Sequence, residues 1–230
     1  MLEHNDSQNI SDFQDNLDAL NFLILPASYM QQSWWLGPFS ELKVTDSVSA
    51  KNRWLSLSKT ISSALKLEDY EDDPWPFELQ RLMLLPVNTL QPILVTLGGL
   101  AMAPNIATLV MADHVQAMKT VLGDARYRFF LLPENRRDMV FRSHLIQKNF
   151  NAPTSPKELN KSLEKAGAEV LAMLYCLLPR AFRSRVALKL PFKYAAFFKD
   201  NTYKLSGDEF TELHTIIEKL VDEVHSEWRE

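Results

Sequence analysis

The chain has 230 residues, 46% of them apolar, and a net charge of −4. That composition suits a globular protein with a real core, as one large domain or two small ones. The sole cysteine, Cys176, excludes an internal disulfide framework and any multi-cysteine metal site, and it fits a reducing compartment.

No basic and then apolar stretch follows Met1, so no secretory signal is expected. Residues 1–20 hold Glu3, Asp6, Asp12, Asp15 and Asp18 among Asn, Gln and Ser, and read as an acidic, partly disordered tail. A helical domain is expected over 21–230. Asn21–Tyr29 starts apolar and meets Pro26, and Gln31–Leu36 is bounded by the turn signal Gly37-Pro38. Residues 46–66 offer a helix with Trp54, Leu57, Ile61 and Leu65 among its apolar positions. Glu68–Asp73 followed by Pro74-Trp75-Pro76 is a loop, because a residue before proline avoids the helical region. A helix over about 77–85 follows.

From Leu82 to Ala112 the chain carries no charge. A bilayer span needs about 20 mostly apolar residues, so the run invites that reading. Pro86, Pro92 and Pro104, the Gly98-Gly99 pair, and Asn88, Gln91 and Asn105 argue against it. The prolines divide the run at Val87–Gln91, Ile93–Ala103 and Asn105–Ala112, pieces short enough for helices buried in a globular core.

A helix over 106–122 should end at Gly123. Arg126–Leu132 alternates only partly and stops at Pro133, and 134–150 is expected to be helical. Asn151–Pro156 is the clearest linker, and the place where the domain would divide. Ser155 and Glu158 form a capping-box pattern with Pro156 at the first helical position, ahead of an apolar stripe that ends before Pro179. Ser206 and Glu209 repeat the pattern before Phe210, Leu213, Ile217, Leu220 and Val224. Between these helices Val186, Leu188 and Leu190 alternate like a short strand. The fold class is all-α, with at most one or two short strands and buried, proline-broken central helices.

The five histidines, His4, His114, His144, His214 and His225, show no metal-ligand spacing. Asp113-His114 reads as a helix-surface pair, and His214 borders the apolar stripe. No glycine-rich phosphate loop and no Gly-x-Ser-x-Gly elbow is present. Cys176 lies among Tyr175, Leu177 and Leu178, which suits an inert buried thiol. No cofactor is implied. The overall acidity and the lack of a nucleic-acid-binding motif argue against nucleic acid. Trp34-Trp35 and Trp75 suit a contact surface, although a tryptophan is first a core residue.

The net charge hides a split. Residues 1–80 hold 13 acids and 5 bases, and residues 81–230 hold 16 acids and 20 bases. The acids concentrate in Glu68–Asp73, and the bases around Arg136-Arg137 and Arg183-Ser-Arg185. Such a dipole can steer association with charged partners.

The order of motifs resembles the K subunit of bacterial type III secretion systems, the SctK family with YscK and PscK among its members. The carrying residues are Leu25-Pro26-Ala27-Ser28-Tyr29, the acidic Tyr70 loop over 67–73, Leu85-Pro86, Leu90, Leu94 and Leu97-Gly98-Gly99-Leu100. Leu122-Gly123 with Tyr127 and Phe129, and then Leu188-Lys189-Leu190-Pro191, follow in order. The resemblance covers most of 20–195. It departs from the family in having the uncharged Pro104-Asn105-Ile106 where a base is expected, and in its long acidic tail. It implies a non-enzymatic, mostly helical adaptor at the cytoplasmic face of the injectisome, without membrane insertion. There it would link the cytoplasmic domain of the inner-membrane ring protein (SctD) to the pod protein (SctQ). From the charge split, Glu68, Glu71, Asp72 and Asp73 are candidates for one partner face, and Arg136, Arg137, Arg183 and Arg185 for the other. A helical secretion chaperone or regulator that binds exported clients is the alternative.

Overall fold

The computed structural model describes residues 17–42, 50–67, 79–131, 153–199 and 203–227. Every regular element among them is helical, so the all-α expectation holds. In chain order they are α1 (17–24), α2 (Pro26–Tyr29), α3 (Gln32–Leu36), α4 (Ala50–Leu65), α5 (Gln80–Leu84) and α6 (Val87–Ala101). Then come α7 (Ala103–Ala107), α8 (Ala112–Leu122), α9 (Asp124–Leu131), α10 (Pro156–Tyr175) and α11 (Arg180–Leu188). A 3-10 stretch, Phe192–Phe198, precedes α12 (Gly207–Glu227). The helix expected over 134–150 lies outside the described residues.

The chain divides into two compact units: unit 1 is Met1–Val87 with Leu178–Ala195, and unit 2 is Asn88–Leu177 with Ala196–Glu230.

In unit 2 the uncharged run becomes α6, whose residues Ile93–Ala101 are all buried. A helix apolar on every side belongs in a core. Pro92 does not break it, contrary to the sequence expectation. An internal proline costs a helix about 3 kcal/mol. Burying Ile93, Leu94, Val95, Leu97 and Leu100 at roughly 1.5–3 kcal/mol each exceeds that. Of the three prolines, Pro86 precedes the helix, Pro92 is absorbed, and Pro104 sits in the first turn of α7.

The close approach of α6 and α10 rests on two glycines. A methyl added at Gly98 would fall on the Leu163 carbonyl, and one added at Gly167 would fall on the Leu94 carbonyl. Leu94 and Gly98, and Leu163 and Gly167, are each four residues apart. Pairing Leu94 with Gly167 and Gly98 with Leu163 makes the crossing antiparallel, with backbone against backbone. On this pair α8 packs against α10 and α9, α7 against α9, and α12 against α10.

Local signals set the helix ends. The Ser206–Glu209 capping box forms: Glu209 N donates to Ser206 Oγ at 3.3 Å and Ser206 N to Glu209 Oε2 at 2.6 Å. α10 starts at Pro156 as expected, but the Ser155 side chain makes no cap bond. Gly123 ends α8 with φ +79°, a left-handed conformation that glycine adopts without steric cost. Two expectations are corrected. The helix expected over 106–122 is interrupted at Thr108–Met111, where Thr108 N and Oγ1 both bond the Asn105 carbonyl and close the turn. Arg126–Leu131 is helical, as part of α9.

Unit 1 packs α2 against α4 and α11. α4 closes with Lys66 at φ 52°, its N–H on the Ser63 carbonyl and that of Leu67 on Ser62. Buried Leu67 completes this helix stop. Leu188 to Phe192 is laced to 31–34 by three hydrogen bonds: Gln31 N to Leu188 O at 2.8 Å, Trp34 Nε1 to Leu190 O at 2.9 Å, and Phe192 N to Ser33 Oγ at 2.8 Å.

The short strand expected at Val186–Leu190 is instead the end of α11 and the turn that closes it. Its buried face carries Arg185 and Lys189, 1% and 4% exposed. Arg185 donates to the Leu23 carbonyl through Nε at 3.3 Å and Nη2 at 3.1 Å, and to Ala181 through Nη1 at 3.2 Å. Those bonds satisfy a carbonyl at the end of α1 and one in its own helix. Lys189 Nζ donates to the Met83 carbonyl and, at 2.9 Å, to that of Leu85, capping the end of α5. The same nitrogen lies 5.0 Å from the Phe22 ring centre and 5.2 Å from that of Tyr29. Burial pulls the Lys189 amine down to about 7, against the opposing pull of Asp18.

Two predictions follow from these contacts. Gly98→Ala and Gly167→Ala should each destabilise the protein by about 3 kcal/mol, because the obstructing atoms are backbone. Chemical denaturation checks this, and a neutral effect at both positions contradicts the crossing. For Lys189, the native value lies below the unfolded one of 10.5, so between these values the unfolded chain holds the extra proton. Its contribution to stability should therefore rise from about pH 7 toward pH 10. Denaturation midpoints of the wild type relative to Lys189→Met should increase over that window, and a flat difference contradicts the burial.

Candidate docking surfaces

Glu68, Glu71, Asp72, Asp73, Arg136 and Arg137 lie outside the described residues. Arg183 and Arg185, the other two candidates, are both buried, at 9% and 1% exposure. The Arg185 guanidinium is turned inward onto backbone carbonyls, so its observed role is to hold α11 and α1 together.

Among the described residues the chemistry-bearing side chains are dispersed. His214 stacks flat on Phe210 with ring centres 5.8 Å apart, and its Nε2 is 3.7 Å from Glu218 Oε1, one turn along α12. Asp113 is exposed and His114 half-buried in the first turn of α8. Cys176 is buried, as the sequence suggested. Tyr175 is fully buried, and burial, with Glu218 adding to it, raises its hydroxyl above the ordinary range. No three His, Cys, Asp or Glu side chains gather into a metal-holding group among the described residues. No described helix is long and apolar enough to cross a membrane. Lys119 and Asp124 pair at 3.4 Å, an exposed bridge worth little.

Exposed apolar side chains cluster. In unit 1, α3 presents Leu36, 75% exposed, beside the half-buried Trp35. Trp35 meets Trp54 of α4 edge-on with centroids 6.5 Å apart. Its neighbour Trp34, buried, meets Phe192 edge-on at 4.9 Å. Trp54 and Phe192 are each about two-fifths exposed. Trp54, Trp35 and Leu36, with Phe192 beside Trp34 and Gly37, thus flank the short α3 and make up an aromatic strip around it. On α1, Leu17, Leu20 and Ile24 are exposed on one face. In unit 2, the α7–α8 connection holds out Val110, 90% exposed, and Met111.

The described residues of unit 1 are richer in bases than the sequence of 1–80 suggests, three of those bases being the buried Arg183, Arg185 and Lys189. The described residues of unit 1 carry ten bases against two acids, Asp18 and Glu41. Ten of the thirteen acids in residues 1–80 belong to segments 1–16 and 68–78. The Trp34-Trp35 pair hinted at a surface, but the adjoining Leu36 and Phe192 carried no signal in the sequence. Their exposure depends on how 188–192 is laced to α3.

Compared with known proteins, the chain matches the family model described as YOP proteins translocation protein K (YscK) over residues 16–229. No curated protein and no solved structure matches it. The match spans all the helices described above, and the chain belongs to the YscK family of type III secretion proteins.

Proposed function

We propose that this protein is a non-enzymatic adaptor of the injectisome sorting platform. It links the cytoplasmic domain of the inner-membrane ring protein to the pod protein and works at the cytoplasmic face of the inner membrane. The observation that carries the reading is family membership across nearly the whole chain. The dispersal of the titratable side chains and the exposed aromatic strip support it. An adaptor needs two faces. One is assigned to Glu68, Glu71, Asp72 and Asp73, the other to Arg136 and Arg137, with the buried Arg185 holding α11 in place.

A pull-down from the native bacterium with the purified chain tests this. Recovery of both the ring protein's cytoplasmic domain and the pod protein is expected. A stable homodimer recovered with a secreted client instead would favour the chaperone reading. Charge reversal at Glu71, Asp72 and Asp73 together should weaken binding to one of the two partners by about tenfold and spare the other. Unchanged affinity for both would remove the acidic face from the proposal.

A further inference from the structure

We infer that the strip Trp54–Trp35–Leu36–Phe192 on unit 1 is a docking seat for an acidic segment of a protein partner, one bearing aliphatic or aromatic anchors. The inference rests on the adaptor reading and deepens it by naming the surface and the chemistry it accepts.

Three observations converge. First, the side chains are exposed and ordered against one another rather than scattered. Trp35 is fixed edge-on against Trp54, Trp34 against Phe192, and the Phe192 backbone is tied to Ser33. Large aromatics held in place lose little rotamer freedom on binding, which is why they recur as binding anchors. Second, Leu36, at the end of the five-residue α3, has its side chain in solvent while its neighbours pack. Third, among the described residues those that adjoin the strip in sequence are mostly basic. Arg53 adjoins Trp54 in sequence, and exposed Lys193 follows Phe192. Glu41 is the exposed acid that follows α3. A partner offering acidic residues around an apolar anchor would pair with those bases and cover the strip. Basic and aromatic surface also suits an anionic bilayer. The strip favours a protein, because its tryptophans are turned against each other and α3 is too short to lie in an interface.

Titration of the 230-residue chain with the ring protein's cytoplasmic domain and with the pod protein tests this. Leu36→Glu should weaken binding to one of them by about tenfold or more, with the thermal midpoint unchanged. Lys193→Glu, on the exposed rim, should weaken the same partner, and added salt should reduce wild-type affinity for it. Val110→Glu in unit 2 should leave that affinity as it is. Wild-type affinity in both variants overturns the seat and leaves the adaptor standing, whereas a wild-type chain that binds neither partner overturns both. Three further outcomes replace the occupant and so overturn the assignment: a wild-type dimer that Leu36→Glu dissociates, phosphatidylserine-vesicle binding that Leu36→Glu abolishes, or strip tryptophans that charge reversal over 71–73 exposes to acrylamide.

Discussion

The backbone contact between α6 and α10 is the constraint from which unit 2 is built. Two helices carrying a side chain at every position could not approach so closely. Gly98 and Gly167 remove the obstructing atoms at the two places where the helices touch. The contact takes in the middle of the uncharged run and gives it a protein environment. α8 and α12 then pack on α10. A segment that hydropathy alone would send to a membrane becomes the centre of a helical body.

Unit 1 solves a different problem. It has short helices, and their ends leave carbonyls without intrahelical partners. Two buried bases meet that need. Arg185 reaches the Leu23 carbonyl and Lys189 those of Met83 and Leu85, so one face of α11 ties together the ends of α1 and α5. The cost is the burial of two side chains that are ordinarily charged, which shows in the lowered Lys189 value. The lacing of 188–192 to 31–34 sets Trp34 inward and leaves Leu36 and Phe192 at the surface. Thus the same short segment, Arg185 to Phe192, organises the interior of unit 1 and shapes its exposed strip.

Much of this was legible where a signal is local and physical. The Ser206–Glu209 cap, the proline start of α10, the Gly123 stop and the turn at Gly37 were read correctly from residue chemistry alone. The reading failed where tertiary contacts decide. Phe182 and Val186 stand four residues apart on the inward face of α11, with buried Leu190 just past its end. The bases Arg185 and Lys189 share the inward face, and they hid that stripe. Arg183 and Arg185 read as candidates for a partner face for the same reason, since nothing in the sequence tells a buried guanidinium from an exposed one. Pro92 misled in the opposite direction, because the burial that outweighs it is supplied by residues far along the chain. The acidic character of the first third was correctly counted, yet the acids and the packed helices belong to different segments.

The middle of the uncharged run, Ile93–Ala101, is the interior of unit 2. Native-state hydrogen exchange on the full chain tests it most directly. Amides of 93–101 and 163–174 should be the slowest of unit 2, exchanging together and only with its global unfolding. Exchange of α6 as fast as that of the non-helical 203–206 stretch, or protection that appears only when lipid is added, would contradict it.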